Sequence, residues 1–159
     1  MAATDRERQL TSRGEDDLGF GCQQFHQHCE ERGIRHPDHI LHSPWERTTQ
    51  TAGIVAAAFT HAELVASTAL KPGADIPDVD RLLDGLLTDF GAEGSQQHHV
   101  ALVSHQPLVS RLIDYYLDSP GQVPPLTPGA LAVLSLDVAG RGTAQLLFWS
   151  MPPQYEEMR

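Results

Sequence analysis

Two apolar stretches of this chain each end in a polar turn that leads into a helical pattern, and these junctions constrain the fold more than any other feature. The first stretch, 39–43, ends at Ser43, and the second, Val100–Val103, is followed by Ser104-His105-Gln106-Pro107. Strand and helix patterns alternate in this way through most of the chain, which favours a parallel sheet covered by helices. Because parallel strands end at the same edge of a sheet, we expect Ser43 and His105 to lie at one edge.

Hydrophobic periodicity and turn residues place the other elements. The predicted helices cover 15–32, 44–60, 79–90 and 108–117, and the predicted strands cover 39–43, 64–67, 100–103, 131–138 and 144–149. Ser12–Glu15 and Ser43–Glu46 have capping-box spacing, which in the second case makes Pro44 the first helical residue. Val100–Val103 is expected to be the most clearly buried strand, because polar residues bound its apolar run.

We therefore predict a three-layer α/β fold, in which a mostly parallel central sheet is flanked by helices and carries an antiparallel C-terminal hairpin at its edge. Residues 139–142, Ala-Gly-Arg-Gly, are typical of the hairpin turn. The length of 159 residues and the hydrophobic content of 40% fit one domain, 1–159, with a sizeable core.

The charge balance and the cysteines limit the partners and the compartment. A formal net charge of -10 argues against sequence-independent binding to nucleic acid and against docking on anionic lipid. The sequence has no apolar run of the ~20 residues that a membrane span needs, and its charged start is no signal peptide. Cys22 and Cys29 would lie roughly 10 Å apart on one helix, too far for a disulfide. Two free thiols fit a reducing compartment, so we expect the cytoplasm.

The residues at the two junctions have the chemistry of an anion site. The helix after Ser43 offers unpaired backbone N–H groups and the positive end of its dipole. Arg47, in the first turn, can add a bidentate fork matched to phosphate oxygens. His105 can hydrogen-bond a phosphate oxygen or protonate a leaving group near neutral pH. The alternative stays open that Ser43 is only a helix cap and Arg47 only a solvated surface arginine.

Two motifs at these junctions are highly specific in combination. The segment 43–52 reads Ser-Pro-x-x-Arg-Thr-x-Gln-Thr-Ala, and 103–107 reads Val-Ser-His-Gln-Pro. Together they resemble two of the three signatures of the histidine phosphatase (phosphoglycerate mutase-like) superfamily. The segment 5–14, which reads Asp-x-x-Arg-x-Leu-Thr-x-x-Gly, resembles a segment of its small bacterial branch, the phosphohistidine phosphatase SixA. The resemblance covers nearly the whole chain.

The resemblance implies a reaction and a set of site residues. In this superfamily a histidine of an Arg-His-Gly motif, at the end of the first strand, takes the phosphoryl group. A second histidine and two arginines bind the phosphoryl oxygens, and water then frees phosphate without a metal or cofactor. Arg47 matches a phosphate-binding arginine and His105 the second histidine, so both are candidate catalytic residues. Ser43 and the backbone N–H of Gln106 are further phosphate-binding candidates, and Arg8 matches an arginine at the substrate entrance.

The resemblance also implies a class of partner. An open groove without a cap suits a phosphohistidine carried by a protein better than a small sugar phosphate. The expected partners are therefore a histidine phosphotransfer domain or a phosphotransferase-system carrier. We expect the protein to act as a monomer, without nucleic acid or membrane.

The Arg-His-Gly signature is missing from this sequence, because only residues 1–4 precede the matched segment 5–14. In the superfamily the first strand resembles a central strand, and its loss would expose unpaired backbone groups of its neighbours. We therefore expect a shortened chain, such as one with a misplaced start codon, rather than an evolved loss. A non-catalytic module that binds phosphate or a phosphoprotein is the alternative.

The sequence places the remaining histidines in helices, in turns or away from the useful edge: His26, His28, His36, His39, His42, His61, His98 and His99.

Other chemistries have weaker support. His26 and His28 lie two residues apart on a helix and face different ways, and no cysteine pair has zinc-finger spacing, so we predict no metal site. The sequence has no Walker loop and no Gly-x-Gly-x-x-Gly, which leaves nucleotide cofactors without a motif. Ser104-His105 is not accompanied by the nucleophile elbow of serine hydrolases.

Overall fold

The computed structural model describes residues 4–91 and 97–159. Its α-helices are α1 (Ser12–Arg32), α2 (Glu46–Ala58), α3 (Ile76–Gly91) and α4 (Leu108–Leu117). Its strands are β1 (His39–His42), β2 (Glu63–Ala66), β3 (Val100–Val103), β4 (Leu131–Leu136) and β5 (Ala144–Ser150). Short 3-10 turns lie at Asp5–Glu7 and Thr68–Leu70. The predicted α/β class and the order of the elements are confirmed.

The strands form two sheets. In the first, the order is β2-β1-β3 and both pairings are parallel, with His39 opposite Glu63 on one side and opposite Val100 on the other. In the second, β4 and β5 form the predicted antiparallel hairpin, with an irregularity between Val133 and Leu134. The hairpin was expected at the edge of the parallel sheet, and among the described residues no strand pairing joins the two sheets.

Strand β3 lies at an edge, which corrects the expectation that Val100–Val103 is the most buried strand. All its residues are only half-buried, whereas Ile40 and Leu41 of β1 are 0% and 3% exposed. The carbonyl oxygens of His99 and Val103 accept hydrogen bonds from the β1 side. Because peptide groups alternate along a strand, those of residues 100 and 102 point away from β1, where no described strand pairs with them.

Helices on both faces join the two sheets. Leu112 and Tyr116 of α4 pack in one apolar cluster with Leu41 of β1 and Ala144 of β5. On the α1 side, the Phe25 ring lies 5.8 Å from the His99 ring and 6.4 Å from the Phe148 ring, measured between centroids. Each such contact between rings adds to the apolar area buried in the core. Within residues 4–91 and 97–159, the two sheets are therefore held together by side-chain packing and share no hydrogen-bonded strand.

Helix α1 begins and ends on recognisable caps. Its N-cap is Thr11, whose side-chain oxygen accepts from the backbone N–H of Gly14 at 3.0 Å, so the capping box predicted from Ser12 is one residue too late. Gly33 ends the helix with a φ of 66°, which glycine adopts at low cost. Both cysteines of α1 are free and buried, and burial raises the pKa of each thiol to about 11. No helix in the described ranges combines the length and apolarity that crossing a bilayer requires.

Candidate active site

Ser43 and His105 meet at the carboxyl edge of the parallel sheet. Ser43 follows β1 directly and is 0% exposed, and His105 follows β3 by two residues. The Ser43 hydroxyl and Nε2 of His105 are hydrogen-bonded at 2.8 Å, in a direction set by the imidazole tautomer. The Trp45 ring packs edge-on against the His105 ring, with centroids 5.2 Å apart. The two junctions seen in the sequence are therefore in contact.

The turn between Ser43 and α2 leaves the start of the helix open. The Trp45 backbone N–H donates to the Ser43 hydroxyl oxygen at 3.3 Å, and the Thr48 hydroxyl donates to the Ser43 carbonyl at 2.8 Å. The helix begins at Glu46, and its N-cap residue makes no side-chain cap. The predicted capping box with Pro44 as first helical residue is therefore wrong. Because no side chain caps this end, the first-turn N–H groups can bind an anion.

Asp5 links the two predicted arginines. Nη2 of Arg47 lies 3.2 Å from a carboxylate oxygen of Asp5, and Nη1 of Arg8 lies 3.9 Å from the same oxygen. The Arg47 side chain is 33% exposed and that of Arg8 is 66% exposed, so solvent reaches both. The backbone N–H of Leu10 donates to the Gln50 side chain at 2.7 Å, which ties this N-terminal segment to α2. The Asp5 carboxylate is therefore paired with the Arg47 guanidinium, which the sequence analysis predicts to bind phosphate.

The electrostatics of His105 show that Arg47 and Asp5 both act on it. Burial, and after it the positive charge of Arg47, lower the pKa of His105 below its ordinary value, and the negative charge of Asp5 opposes them. The imidazole is therefore neutral at pH 7, where a His105 nitrogen can accept or donate. An anion bound beside Arg47 would raise this pKa, because it would favour the protonated ring.

Gln106 follows His105 and is exposed. Its side-chain amide donates to the Ser110 hydroxyl at 2.7 Å and to the Leu126 carbonyl at 2.8 Å, which fixes the turn before α4. In the described ranges its backbone N–H makes no hydrogen bond to another backbone group. The structure thus places Ser43, Arg47 and His105 at one edge of the sheet, and Asp5 connects Arg8 to Arg47. Among the described residues the Gln106 backbone N–H has no backbone partner, so it is free to donate to a ligand.

Sequence reasoning missed Asp5 and Trp45 as members of this site, and it misplaced His42. Asp5 was visible as the first residue of the Asp-x-x-Arg segment, and Trp45 as an aromatic residue inside the Ser43 motif. His42 was expected away from the useful edge. It is the last residue of β1, is 6% exposed, and its Nδ1 lies 2.9 Å from the Ser43 carbonyl oxygen. His42 is therefore a second histidine at the carboxyl edge.

The cluster is an open surface rather than a closed pocket. The Asp5 side chain is 57% exposed and the Arg47 side chain 33% exposed. Two surface cavities lie beside α3, one lined by residues that include Lys71 and the other by residues that include Tyr115. Neither of these two cavities is lined by Arg47 or His105.

Replacing Asp5 by asparagine should strengthen the binding of inorganic phosphate, because it removes the carboxylate that competes for Arg47. For an exposed ion pair the gain is up to about 1 kcal/mol, or roughly fivefold in affinity. The same change should lower the pKa of His105 further, since Asp5 raises it. NMR titration of the His105 ring against pH and against phosphate measures both effects. Asp16→Asn, on the exposed side of α1, is the matched charge control, and equal effects of the two variants would contradict a role for Asp5.

Known structures resemble this fold over nearly its whole length. A protein histidine phosphatase SixA complexed with tungstate is 25% identical, with a TM-score of 0.71, covering 96% of this chain and 89% of that one. A structure from Agrobacterium tumefaciens, described as a candidate phosphohistidine phosphatase SixA, is 21% identical with a TM-score of 0.66, covering 96% and 90%. Phosphoglycerate mutase from Plasmodium falciparum is 16% identical with a TM-score of 0.62, covering 88% and 84%. No protein-family model and no curated protein matches the chain.

These comparisons identify the class of protein that the fold and the two junction motifs define. The chain has the fold of the histidine phosphatase (phosphoglycerate mutase-like) superfamily. Within that superfamily it resembles the SixA branch, as the Asp5–Gly14 segment predicts.

Proposed function

We propose that this protein is a phosphohistidine phosphatase, which removes phosphate from a phosphorylated histidine of a signalling or phosphotransfer protein through a phosphohistidine intermediate on the enzyme. The observation that carries the proposal is the 2.8 Å hydrogen bond between His105 and Ser43, at the edge of the sheet where α2 begins without a side-chain cap and with Arg47 in its first turn. Positive charge concentrated in this way stabilises the oxygens of a transferring phosphoryl group. Tungstate, an oxyanion, is bound in a SixA structure of the same fold.

The open surface of the site supports a protein-borne substrate. A phosphohistidine on the surface of a partner can approach the exposed side of Arg47, whereas a small sugar phosphate gains most from a closed pocket. The proposed partners are a histidine phosphotransfer domain or a phosphotransferase-system carrier, met by a monomer of this chain. The proposal includes a cytoplasmic location, because both buried cysteines are free thiols.

Two open strand edges support the proposal that a further strand, absent from the described residues, supplies the nucleophilic histidine. The outer edges of β3 and of β4 pair with no strand in the described ranges. The Phe25 ring of α1 lies 5.8 Å from the His99 ring, beside β3, and 6.4 Å from the Phe148 ring of β5, so one helix covers both sheets. A strand inserted parallel to β3 would end at the edge that holds His105, where a histidine could face the phosphoryl group.

Binding of a phosphoprotein without turnover is the second candidate function. It is favoured by the state of the described site, in which Asp5 lies against Arg47 and the second histidine, His42, is buried with Nδ1 at 2.9 Å from a carbonyl oxygen. Such a site would hold an anion that no group attacks. Both functions use Arg47 and His105, so binding alone does not separate them.

Turnover of a labelled phosphohistidine protein separates the two functions. We expect loss of label with a version of the chain extended upstream by a strand that contains Arg-His-Gly, and no loss with the chain as printed. Arg47→Ala in the extended version should then slow turnover, and Arg81→Ala, an exposed arginine on α3, should leave it unchanged. Turnover by neither version would favour the binding module and contradict the phosphatase.

His42→Gln gives a further control on the source of the nucleophile. Turnover by the printed chain that disappears in His42→Gln would show that His42 is the nucleophile and would contradict the additional strand. Turnover by the extended version that survives His42→Gln would support the additional strand. Circular dichroism of each variant shows whether the fold is retained.

A further inference from the structure

Three metal-ligating side chains meet at the amino edge of the sheet, away from the site described above. His26 and Glu30 lie four residues apart on α1, and His36 lies in the segment between α1 and β1. One nitrogen of each imidazole and one carboxylate oxygen lie within 4.8 Å of one another. Nε2 of His36 is 2.8 Å from an oxygen of Glu30.

The local fold holds these three side chains together. Gly33 turns the chain in the left-handed conformation, and the Ile34 backbone N–H donates to the Cys29 carbonyl at 2.9 Å, so His36 returns over the last turns of α1. Both imidazole rings pack on the Phe59 ring, which is 4% exposed. The centroid distance is 5.7 Å for His26, whose ring is almost parallel to that of Phe59, and 5.3 Å for His36. The rings therefore share one buried platform.

The donor set has the chemistry of a divalent transition-metal site. Two imidazoles and one carboxylate are the ligands that Zn²⁺ uses when it keeps a fourth position open. In a tetrahedral site, with bonds of about 2.0–2.1 Å, donor atoms lie about 3.3 Å apart. The side chains of Glu30 and His36 are 63% and 38% exposed, which leaves both of them room to rotate toward this spacing. The nearby arginines are already paired, Arg32 with Glu157 and Arg35 with Asp38.

We infer that His26, Glu30 and His36 form a Zn²⁺ site that fastens the end of α1 to the segment leading into β1. The sequence analysis predicted no metal site because it compared His26 with His28. His28 does face another way, since its Nε2 lies 2.9 Å from the Tyr155 carbonyl oxygen. The partner of His26 is His36, ten residues along the chain. The site is separate from the candidate active site, because His36 precedes β1 whereas Ser43 and His105 follow the other ends of the strands.

Metal titration of the full chain tests this inference. After removal of metal with a chelator, calorimetry near neutral pH should show about one equivalent of Zn²⁺ bound, and Co²⁺ should give the visible absorption of a site with nitrogen and oxygen ligands. Zn²⁺ should raise the midpoint of thermal unfolding, because it binds the folded chain. His26→Gln and His36→Gln should each lower the affinity for Zn²⁺ by at least about tenfold, since even the loss of a group that only supports a metal ligand costs about 10–100-fold.

Matched variants exclude binding elsewhere. Glu30→Gln should weaken Zn²⁺ binding, whereas Glu31→Gln, an exposed neighbour on the same helix, and His61→Gln, in an exposed turn, should not. Phosphate binding should be unchanged in His36→Gln, so the result is independent of the proposed phosphatase function. An absence of Zn²⁺ binding, or binding that survives His26→Gln and His36→Gln, would overturn the inference and leave Glu30 and His36 as an ordinary ion pair.

Discussion

Arg47→Ala should weaken the binding of inorganic phosphate roughly thirtyfold, or about 2 kcal/mol, which is the usual contribution of hydrogen bonds to a charged group. The side chain lies in the first turn of α2, beside unpaired N–H groups, and its charge already acts on His105. Its removal takes away the bidentate fork that matches phosphate oxygens. NMR titration with phosphate, followed on the His105 ring, measures the affinity even where it is weak.

Two further variants make the Arg47 result specific. Arg47→Lys keeps the charge but not the planar fork, so it should recover only part of the affinity. Arg81→Ala removes an arginine that is 73% exposed and paired with Asp78, and it should leave phosphate binding unchanged. The pKa of His105 should rise in Arg47→Ala, since Arg47 lowers it. Equal phosphate affinity in Arg47→Ala and in the unsubstituted chain would remove Arg47 from the site.

The sequence predicts the elements and the meeting of the two junctions well, for a physical reason. The predicted limits of β3 (Val100–Val103) and α4 (Leu108–Leu117) are the same as those in the structure. Polar residues flank the strand, and Asp118, in the left-handed conformation at φ 47°, ends the helix. The hydrogen bond between Ser43 and His105 follows from topology, because parallel strands end at one edge. Apolar periodicity is a local rule, and the common edge at which parallel strands end is a general one. Both rules can be applied to a single sequence.

The details that the sequence does not predict depend on contacts between distant residues. The Asp5–Arg47 ion pair joins residues 42 positions apart in the chain, and no local pattern identifies it. The half-buried state of β3 depends on which strands are its neighbours, not on its own apolar residues. The grouping of His26 with His36 depends on the turn at Gly33. In each case the contact depends on where the backbone places residues that are not neighbours in the sequence.

Gly21→Ala should be strongly destabilising, because a Cβ at this position of α1 would overlap the Tyr155 ring. The ring has little room to move. It is 1% exposed, its hydroxyl donates to the Gly129 carbonyl at 2.8 Å, and the Phe20 ring packs against it with centroids 6.2 Å apart. Overpacking of this kind costs about 3 kcal/mol, a large part of the about 5–15 kcal/mol that stabilises a typical domain.

Gly19→Ala supplies the matched control for this prediction, since a Cβ at residue 19 of the same helix would meet nothing within 4 Å. It should stabilise the fold by about 0.5–1 kcal/mol, because alanine loses less backbone entropy than glycine in a helix. Denaturant unfolding measures both free energies. In a Tyr155→Ala background the cost of Gly21→Ala should largely disappear, since the two side chains would no longer meet. A cost that persists in that background would show that the helix itself, and not its contact with the C-terminal segment, requires glycine at position 21.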